Sequence, residues 1–530
     1  MLRTSLYQRS MLEVDPDAIR LADDAFERHL PDLVPRLVSA EDFREFYSED
    51  NGAGSRCPLM LTAMLLLQYR YKVGDAELVE RCRRDLGWRY AIGLEAGAQP
   101  PGQGTVQRFR SKLFKRKGSD FLHRCTLDVA MAAGYVDDTE RQVVDSSNVE
   151  CRGAIIDTYN LIAAAIRTVI RRVACCLGRS AEALAHEWDL QRYMPRSFKG
   201  QVSIDWNDET ARNALITQEV RHADRLPRLV DGLRLTLPAD VGEALELLAE
   251  VAHQDVEQLD DGTFKVAQGT KKGRIISVTD PEARHGHKSS SKTINGFKVH
   301  VMGTIASQFV TGIEVTDAGV HDADPTAQLI EQTASYGMKP HEAVGDAAYG
   351  IGRNVRSCKE QGVAMLTKQP ANSHKNALPK SAFDIDFEAM TATCPRGQTT
   401  TKVTLVKEGN GTGLRVPKFH FDKAACQACD SRQLCSSETR NGNNRTILLA
   451  LYEAEQRTQQ AFNRSPRAKA ILRSRSSVER LISHLVHMGM RHARFFGMHM
   501  VQAQAHMTAA AYNLQRFITL MVNRRRKRPT

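Results

Sequence analysis

Two short apolar runs, Val143-Val144 and Ala343-Val344, each lead into an aspartate: Asp145 directly, and Asp346 after Gly345. Runs of this length, bounded by polar residues, read as buried strands, each delivering a carboxylate at its end. Two of them far apart in one chain predict neighbouring strands of one sheet, and the segments around them alternate between strand and helix patterns, so the fold class is α/β. Strand signals return at Arg274 to Val278. Phe297, Val299 and Val301 then alternate with Lys298, His300 and Met302, and Phe309 to Val315 follow, which together predict a hairpin. A helix and a short strand, Val363 to Leu366, are predicted after Asp346.

The rest of the pattern is helical. Pro58 suits a first turn, Asp75 can cap Ala76 to Leu86, Gly87 can end that segment, and Thr105 can cap the next. That next helix sets Val106, Phe109 and Leu113 on one side and Arg108, Lys112, Lys115 and Arg116 on the other, so it can pack on one face and meet phosphates with the other. A solvated basic face explains the same pattern equally well. Ile162, Ile166, Val169, Ile170 and Val173 share one helical face, and Asp240 with Glu243 reads as a capping box, so residues 150–270 are expected to be a helical insertion. Residues 370–450, punctuated by Gly, Asn and Cys, are expected to form a second insertion. The expected division is therefore a helical, DNA-binding unit over 1–135 and a larger unit over 136–530 that carries both insertions; the 530 residues exceed what one domain usually holds.

Charge narrows the class of partner. Lys and Arg number 73 against 62 Asp and Glu, a net +11 that attracts polyanions, and the excess clusters between Arg108 and Lys117 and again at Arg524, Arg525, Arg526, Lys527 and Arg528. Nothing at the start of the chain has the order of a secretory signal, and no stretch approaches a membrane span, so a cytoplasmic, nucleoid-associated location without membrane contact is expected. In that compartment 11 cysteines do not form a disulfide framework.

The acidic residues suggest a chemistry. Hydrolysing a phosphodiester requires an activated water and a stabilised leaving oxygen, which two divalent ions held by carboxylates supply. Asp145 and Asp346 suit as ligands, and the helix with Val478, Leu481, Ile482 and Leu485 offers Glu479 beside that stripe, with Arg475 one turn earlier. Taken singly, each has a plainer reading: an aspartate after a strand as a turn or cap, a Glu–Arg pair as a surface contact.

Four further stretches give these residues a context. Val143-Val144-Asp145-Ser146-Ser147, Gly345-Asp346-Ala347-Ala348-Tyr349-Gly350, and Arg475-Ser476-Ser477-Val478-Glu479 continuing to Gly489-Met490-Arg491-His492-Ala493-Arg494-Phe495-Phe496-Gly497 occur in that order. Between the aspartates lie Asp280-Pro281-Glu282-Ala283-Arg284, His287-Lys288 and Gly296-Phe297-Lys298-Val299-His300. Together with Pro58 to Leu113, this series resembles the bacterial insertion-sequence transposases of the DDE class. The resemblance implies a ribonuclease-H-like mixed sheet flanked by helices, with Asp145, Asp346 and Glu479 as catalytic residues holding magnesium or manganese. It further implies DNA partners, both terminal inverted repeats and target, and a homodimer that joins two ends. Arg108, Lys112, Arg284, Lys288, Lys298, Arg475, Arg491 and Arg494 are the candidate phosphate contacts. The chain departs from many relatives at Leu472, where they carry Tyr, and at Val486, where they carry Lys. Two rival readings share these residues: a metal nuclease that cleaves without strand transfer, and a non-catalytic DNA-binding regulator.

A last cluster stands apart. Cys426 and Cys429 are spaced C-x2-C, Cys435 follows, and Cys394 lies upstream in Cys394-Pro395-Arg396-Gly397. These are either four thiolates for a tetrahedral zinc site or buried free thiols. The subgroup that the chain resembles often carries such a cluster before its glutamate helix.

Overall fold

The computed structural model describes residues 17–526 apart from 18, 48–55, 96, 235, 237, 270, 290–291, 369–377, 408–413, 437–438 and 440. Its centre is a six-stranded mixed sheet. Strand β1 (Gln142–Glu150) lies between two partners. On one side it runs antiparallel to the long β5 (Lys292–Thr304), whose other edge pairs with β4 (Arg284–Ser289) and β6 (Val310–Asp317). On its other side it runs parallel to β7 (Glu342–Gly345), which pairs in parallel with β8 (Ala364–Thr367). The expected hairpin is β5 with β6. Arg274 to Val278 is not a strand; there is only an isolated bridge from Ile275 to Arg284. Asp145 is not the end of its strand either, because β1 continues to Glu150 with β5 alongside. An apolar run marks the part of a strand that is buried on both faces, and the polar remainder Ser146 to Asn148 still pairs through its backbone.

Alternation along β1 divides two cores. On one face Val143 belongs to the core that also takes in helices α1 (Phe26–Leu37), α2 (Pro58–Arg70), α5 (Gln103–Lys117), α6 (Phe121–Ala132) and the terminal helix Met498–Arg526. Val144 packs on the opposite face, with α11 (Thr326–Ser335) and α12 (Gly352–Glu360). The N-terminal helices therefore share one hydrophobic core with the sheet. Between β1 and β4 come α7 (Thr158–Cys176), α8 (Ala181–Glu187), α9 (Glu209–Asp231) and α10 (Ala239–Gln254), which close a core of their own. A small unit between β8 and the Glu453–Arg464 helix has two three-stranded sheets around Phe383, Phe419, Phe421 and Ile447.

Several caps differ from the pattern read in the sequence. The α5 helix is capped at Gly102 rather than Thr105, α10 starts from Pro238 with no side-chain cap from Asp240, and Asp75 sits inside α3 (Asp75–Arg84). Gly87 ends no helix; it lies in α4 (Leu86–Ala91), where Asp85 caps through Trp88. Asp75 has a tertiary partner instead: Arg110 of α5 grips its carboxylate through two nitrogens at 2.8 and 3.0 Å, which holds that carboxyl well below the usual range. No helix among the described residues is long and apolar enough to cross a membrane.

Candidate active site

The parallel pairing of β1 with β7 matches Val143 to Val344, so two residues further on Asp145, within β1, and Asp346, just past β7, stand at the same level of adjacent strands. Asp346 follows β7 directly, and its Oδ1 accepts the Ala348 amide at 2.8 Å, which turns the chain sharply toward Tyr349. Asp145 follows Val143 onto the face covered by the glutamate helix Ser476–Leu485, whose Val478, Leu481 and Leu485 are buried in that core. Gly303, opposite Val143 on β5, lets this helix come close: a Cβ there would stand 2.6 Å from Leu481 Cδ1.

The third carboxylate reaches the first through an arginine. Arg475 Nη2 donates to Glu479 Oε1 at 2.9 Å and Nη1 to Asp145 Oδ2 at 3.3 Å, so one guanidinium joins residues 330 positions apart. Glu479 is exposed, with 61% of its side chain accessible, while Asp145 retains 21%. Burial pushes the Asp145 carboxyl up to about 6; the Asp346 and Asp322 carboxylates add to the rise, against the Ser146 amide and Arg475, which lower it.

Asp322 is a site residue that the sequence reading missed. It stands on the far side of β1, where Lys298 Nζ donates to it at 2.8 Å and to the Val320 carbonyl at 2.8 Å. Nearby, Tyr349 is fully buried, its hydroxyl has no hydrogen-bond partner among the described residues, and its pKa is raised by burial and then by Asp145, Asp322 and Asp346. His300 is also buried, with Nε2 on Thr316 Oγ1 at 2.9 Å, and its pKa falls to about 4 through burial. The only signal in the sequence was period-two alternation, which puts Ser146, Lys298 and His300 on one face once the register is known.

The other expected phosphate contacts fall into two groups. Arg108 and Lys112 are exposed on α5, as are Lys115 and Arg116, with Phe109 and Leu113 turned into the core. Lys112 also reaches the Phe46 carbonyl and lies over the Tyr47 ring. Lys298, by contrast, faces inward to Asp322, and Arg494 is sheltered, bonded to the Val73 carbonyl at 2.6 Å with its guanidinium 5.2 Å from the Tyr69 ring centre. Neither is presented to a surface ligand; each spends its charge on internal acceptors. Arg284 is half-buried against the Pro281 and Ala283 carbonyls, and Arg491 reaches the Asn148 carbonyl at 3.3 Å. The side chain of Lys288, together with Lys527 and Arg528, lies outside the described residues.

Two of the sequence motifs meet each other. Asp280 Oδ1 accepts the Gly497 amide at 3.0 Å and Glu282 Oε2 the Met498 amide at 2.7 Å, so both carboxylates serve the N-terminus of the terminal helix. The segment before that helix pairs with the end of β1, through Glu150 N to the Arg491 carbonyl at 2.9 Å and Ala493 N to the Glu150 carbonyl at 2.8 Å.

A hard-oxygen donor set of this kind suits a divalent cation. Three features fit one: a half-buried carboxyl whose charged form burial disfavours, a tyrosine hydroxyl near it with no hydrogen-bond partner among the described residues, and a guanidinium cation seated between two of the acids. Among the described residues no three acidic, histidine or cysteine side chains already stand as a ligand set, in keeping with Arg475 lying between Asp145 and Glu479.

Comparison with known families gives two matches. Residues 393–518 match the model of a transposase DDE domain, and residues 17–112 match that of a transposase domain, DUF772. No curated protein and no solved structure matches the chain.

Proposed function

We propose that this DDE transposase of the insertion-sequence type cleaves the ends of its element and joins them to target DNA, with Asp145, Asp346 and Glu479 as its catalytic carboxylates. The observation that carries this reading is the convergence of the three: adjacent parallel strands supply two, and Arg475 ties the third to the first. The strand order, with β1 central, β5 antiparallel on one side and β7 and β8 parallel on the other, supports a ribonuclease-H-like reading of the sheet.

Asp145 and Asp346, with Glu479 once Arg475 turns aside, would hold two magnesium or manganese ions. When bound, those ions activate the attacking water or 3′ hydroxyl and stabilise the leaving oxygen. Arg475 then becomes free to pair with a DNA phosphate, so the same side chain balances the acids before substrate arrives and the backbone afterwards. Asp322, held by Lys298, adds negative charge behind Asp145. The exposed basic face of α5 is assigned to DNA, within a DNA-binding region over 1–135, and residues 136–530 are assigned to catalysis. Joining two ends at once calls for two copies of the chain.

The test uses purified protein, magnesium and linear DNA carrying both flanks of the coding region. Strand nicks at the element ends followed by joined products are expected, and Glu479→Gln should bind the ends without cutting them. Cleavage with no joined product would point to a nuclease, and end binding without cleavage by the unaltered chain to a regulator.

A further inference from the structure

The small unit after β8 contains the four clustered cysteines, and the fold draws them toward one place. Cys394 opens the tight turn between β10 (Thr391–Thr393) and β11 (Thr399–Thr400), closed by its amide to the Gln398 carbonyl at 2.8 Å and by Gly397 at a φ of 81°. Cys426 lies in the helical turn Lys423–Gln427, Cys429 follows two residues past its end, and Cys435 ends the next turn, Arg432–Cys435. All four are free and half-buried, and together they line one small cavity of about 40 Å³, too small for an organic ligand.

Two backbone amides already point at sulfur. Arg396 N lies 3.4 Å from Cys394 Sγ, two residues on, and Arg445 N lies 3.5 Å from Cys426 Sγ. Amide donors of this kind stabilise a thiolate over a thiol, which is the state a metal requires.

The energetics point the same way. The buried core of the unit is Phe383, Ile385, Ala392, Phe419, Phe421, Ile447 and Leu449, a small set to order two short sheets and several turns. Units with so little apolar burial usually need a staple, either a disulfide or a metal. Cys394, Cys426, Cys429 and Cys435 are not paired with one another.

We propose that Cys394, Cys426, Cys429 and Cys435 bind one zinc ion as four thiolates, and that this ion orders the unit from which the glutamate helix is suspended. The connection is direct. Glu453, buried at the start of the Glu453–Arg464 helix, accepts from Lys380 at 2.5 Å, and Arg457 of the same helix donates to the Phe383 carbonyl at 3.3 Å, tying the unit to that helix. Gln459 and Asn463 of the same helix bond the backbone of β8, and the chain then runs through Ala468–Arg473 to Arg475 and Glu479. Because no closed set of metal-binding side chains exists yet among the described residues, loading the ion moves the cysteine side chains inward.

The test is elemental analysis of the purified full chain, with cobalt exchanged for the native metal. One zinc per chain is expected, released by a thiol-blocking mercurial, with a cobalt form showing the sulfur-to-metal charge-transfer bands of a tetrahedral four-thiolate site. Cys429→Ser should lower the zinc content, and should raise amide exchange in residues 378–464 while leaving exchange in α7 to α10 unchanged. A metal-free chain whose four cysteines are freely alkylated, a disulfide among them, or an iron centre would overturn the proposal. None of these readouts depends on DNA cleavage, so the zinc can fail while the triad stands, and the reverse.

Discussion

Replacing Arg475 by glutamine should make the DNA-free protein bind divalent cations more tightly. The guanidinium bonds Glu479 at 2.9 Å and Asp145 at 3.3 Å, and both bonds must open before the acids can share an ion. Glu479 is 61% exposed, so its pair with Arg475 is worth only about 0.2–1 kcal/mol. The contact with Asp145 is more sheltered but long, and contributes roughly 1 kcal/mol. Together they cost an incoming ion roughly 1–2 kcal/mol, or about 5- to 30-fold in affinity. Titration with manganese, followed by electron paramagnetic resonance at about pH 8 so that Asp145 is ionised, reads this directly. Glutamine keeps the length and polarity of the side chain, so packing changes little. Unchanged or weaker binding in Arg475→Gln would refute the idea that the arginine holds the place of a cation.

Three other perturbations follow from the same geometry. Gly303→Val drives a side chain into Leu481 and the Phe309 carbonyl, each 2.6 Å from the new Cβ, so the glutamate helix must shift. Cleavage should fall on the order of a hundredfold with DNA binding intact, since small misplacements cost that much, and equal loss of both would contradict it. Glu219 is fully buried in the helical insertion, neither carboxylate oxygen has a hydrogen-bond partner among the described residues, and burial raises its carboxyl to about 9. Its folded-state pKa lies above the unfolded one, so its stability contribution is complete below the unfolded value and is lost as pH rises toward the folded one, by up to about 1.4 kcal/mol per pH unit. Melting scans should therefore show Glu219→Gln gaining on the unaltered chain between about pH 5 and pH 8.5, and a constant difference would contradict the assignment. Arg110→Met leaves the half-buried Asp75 carboxylate with only Gln68 and Gln107 as donors and should destabilise the chain by about 1.5–3 kcal/mol, read by denaturant unfolding.

Much of this arrangement is legible in the sequence because it rests on local patterns. The apolar runs before Asp145 and Asp346 locate β1 and β7, and the alternation from Phe297 to Met302 locates β5. The stripe around Leu481 gives the glutamate helix and the face on which Glu479 begins. What escaped is long-range. Asp322 carries no local mark of its role; it joins the site only because β5 places Lys298 on the inner face of a particular register. Lys298 and Arg494 read as surface cations because charge is usually solvated, and only the fold reveals Asp322 and the Val73 carbonyl as their partners. Thr105 and Asp240 lie three and two residues past the observed caps, Gly102 and Pro238, as happens when a cap is inferred from residue type without the turn.

The central claim is that Asp145, Asp346 and Glu479 share divalent cations at the point of cleavage. The most direct test is anomalous diffraction from crystals of the chain with manganese and a DNA end. Two manganese peaks about 3.5–4 Å apart are expected among Asp145, Asp346 and Glu479, with Arg475 turned to a phosphate. Manganese bound elsewhere, or bound to the aspartates while Arg475 still clasps Glu479, would contradict it.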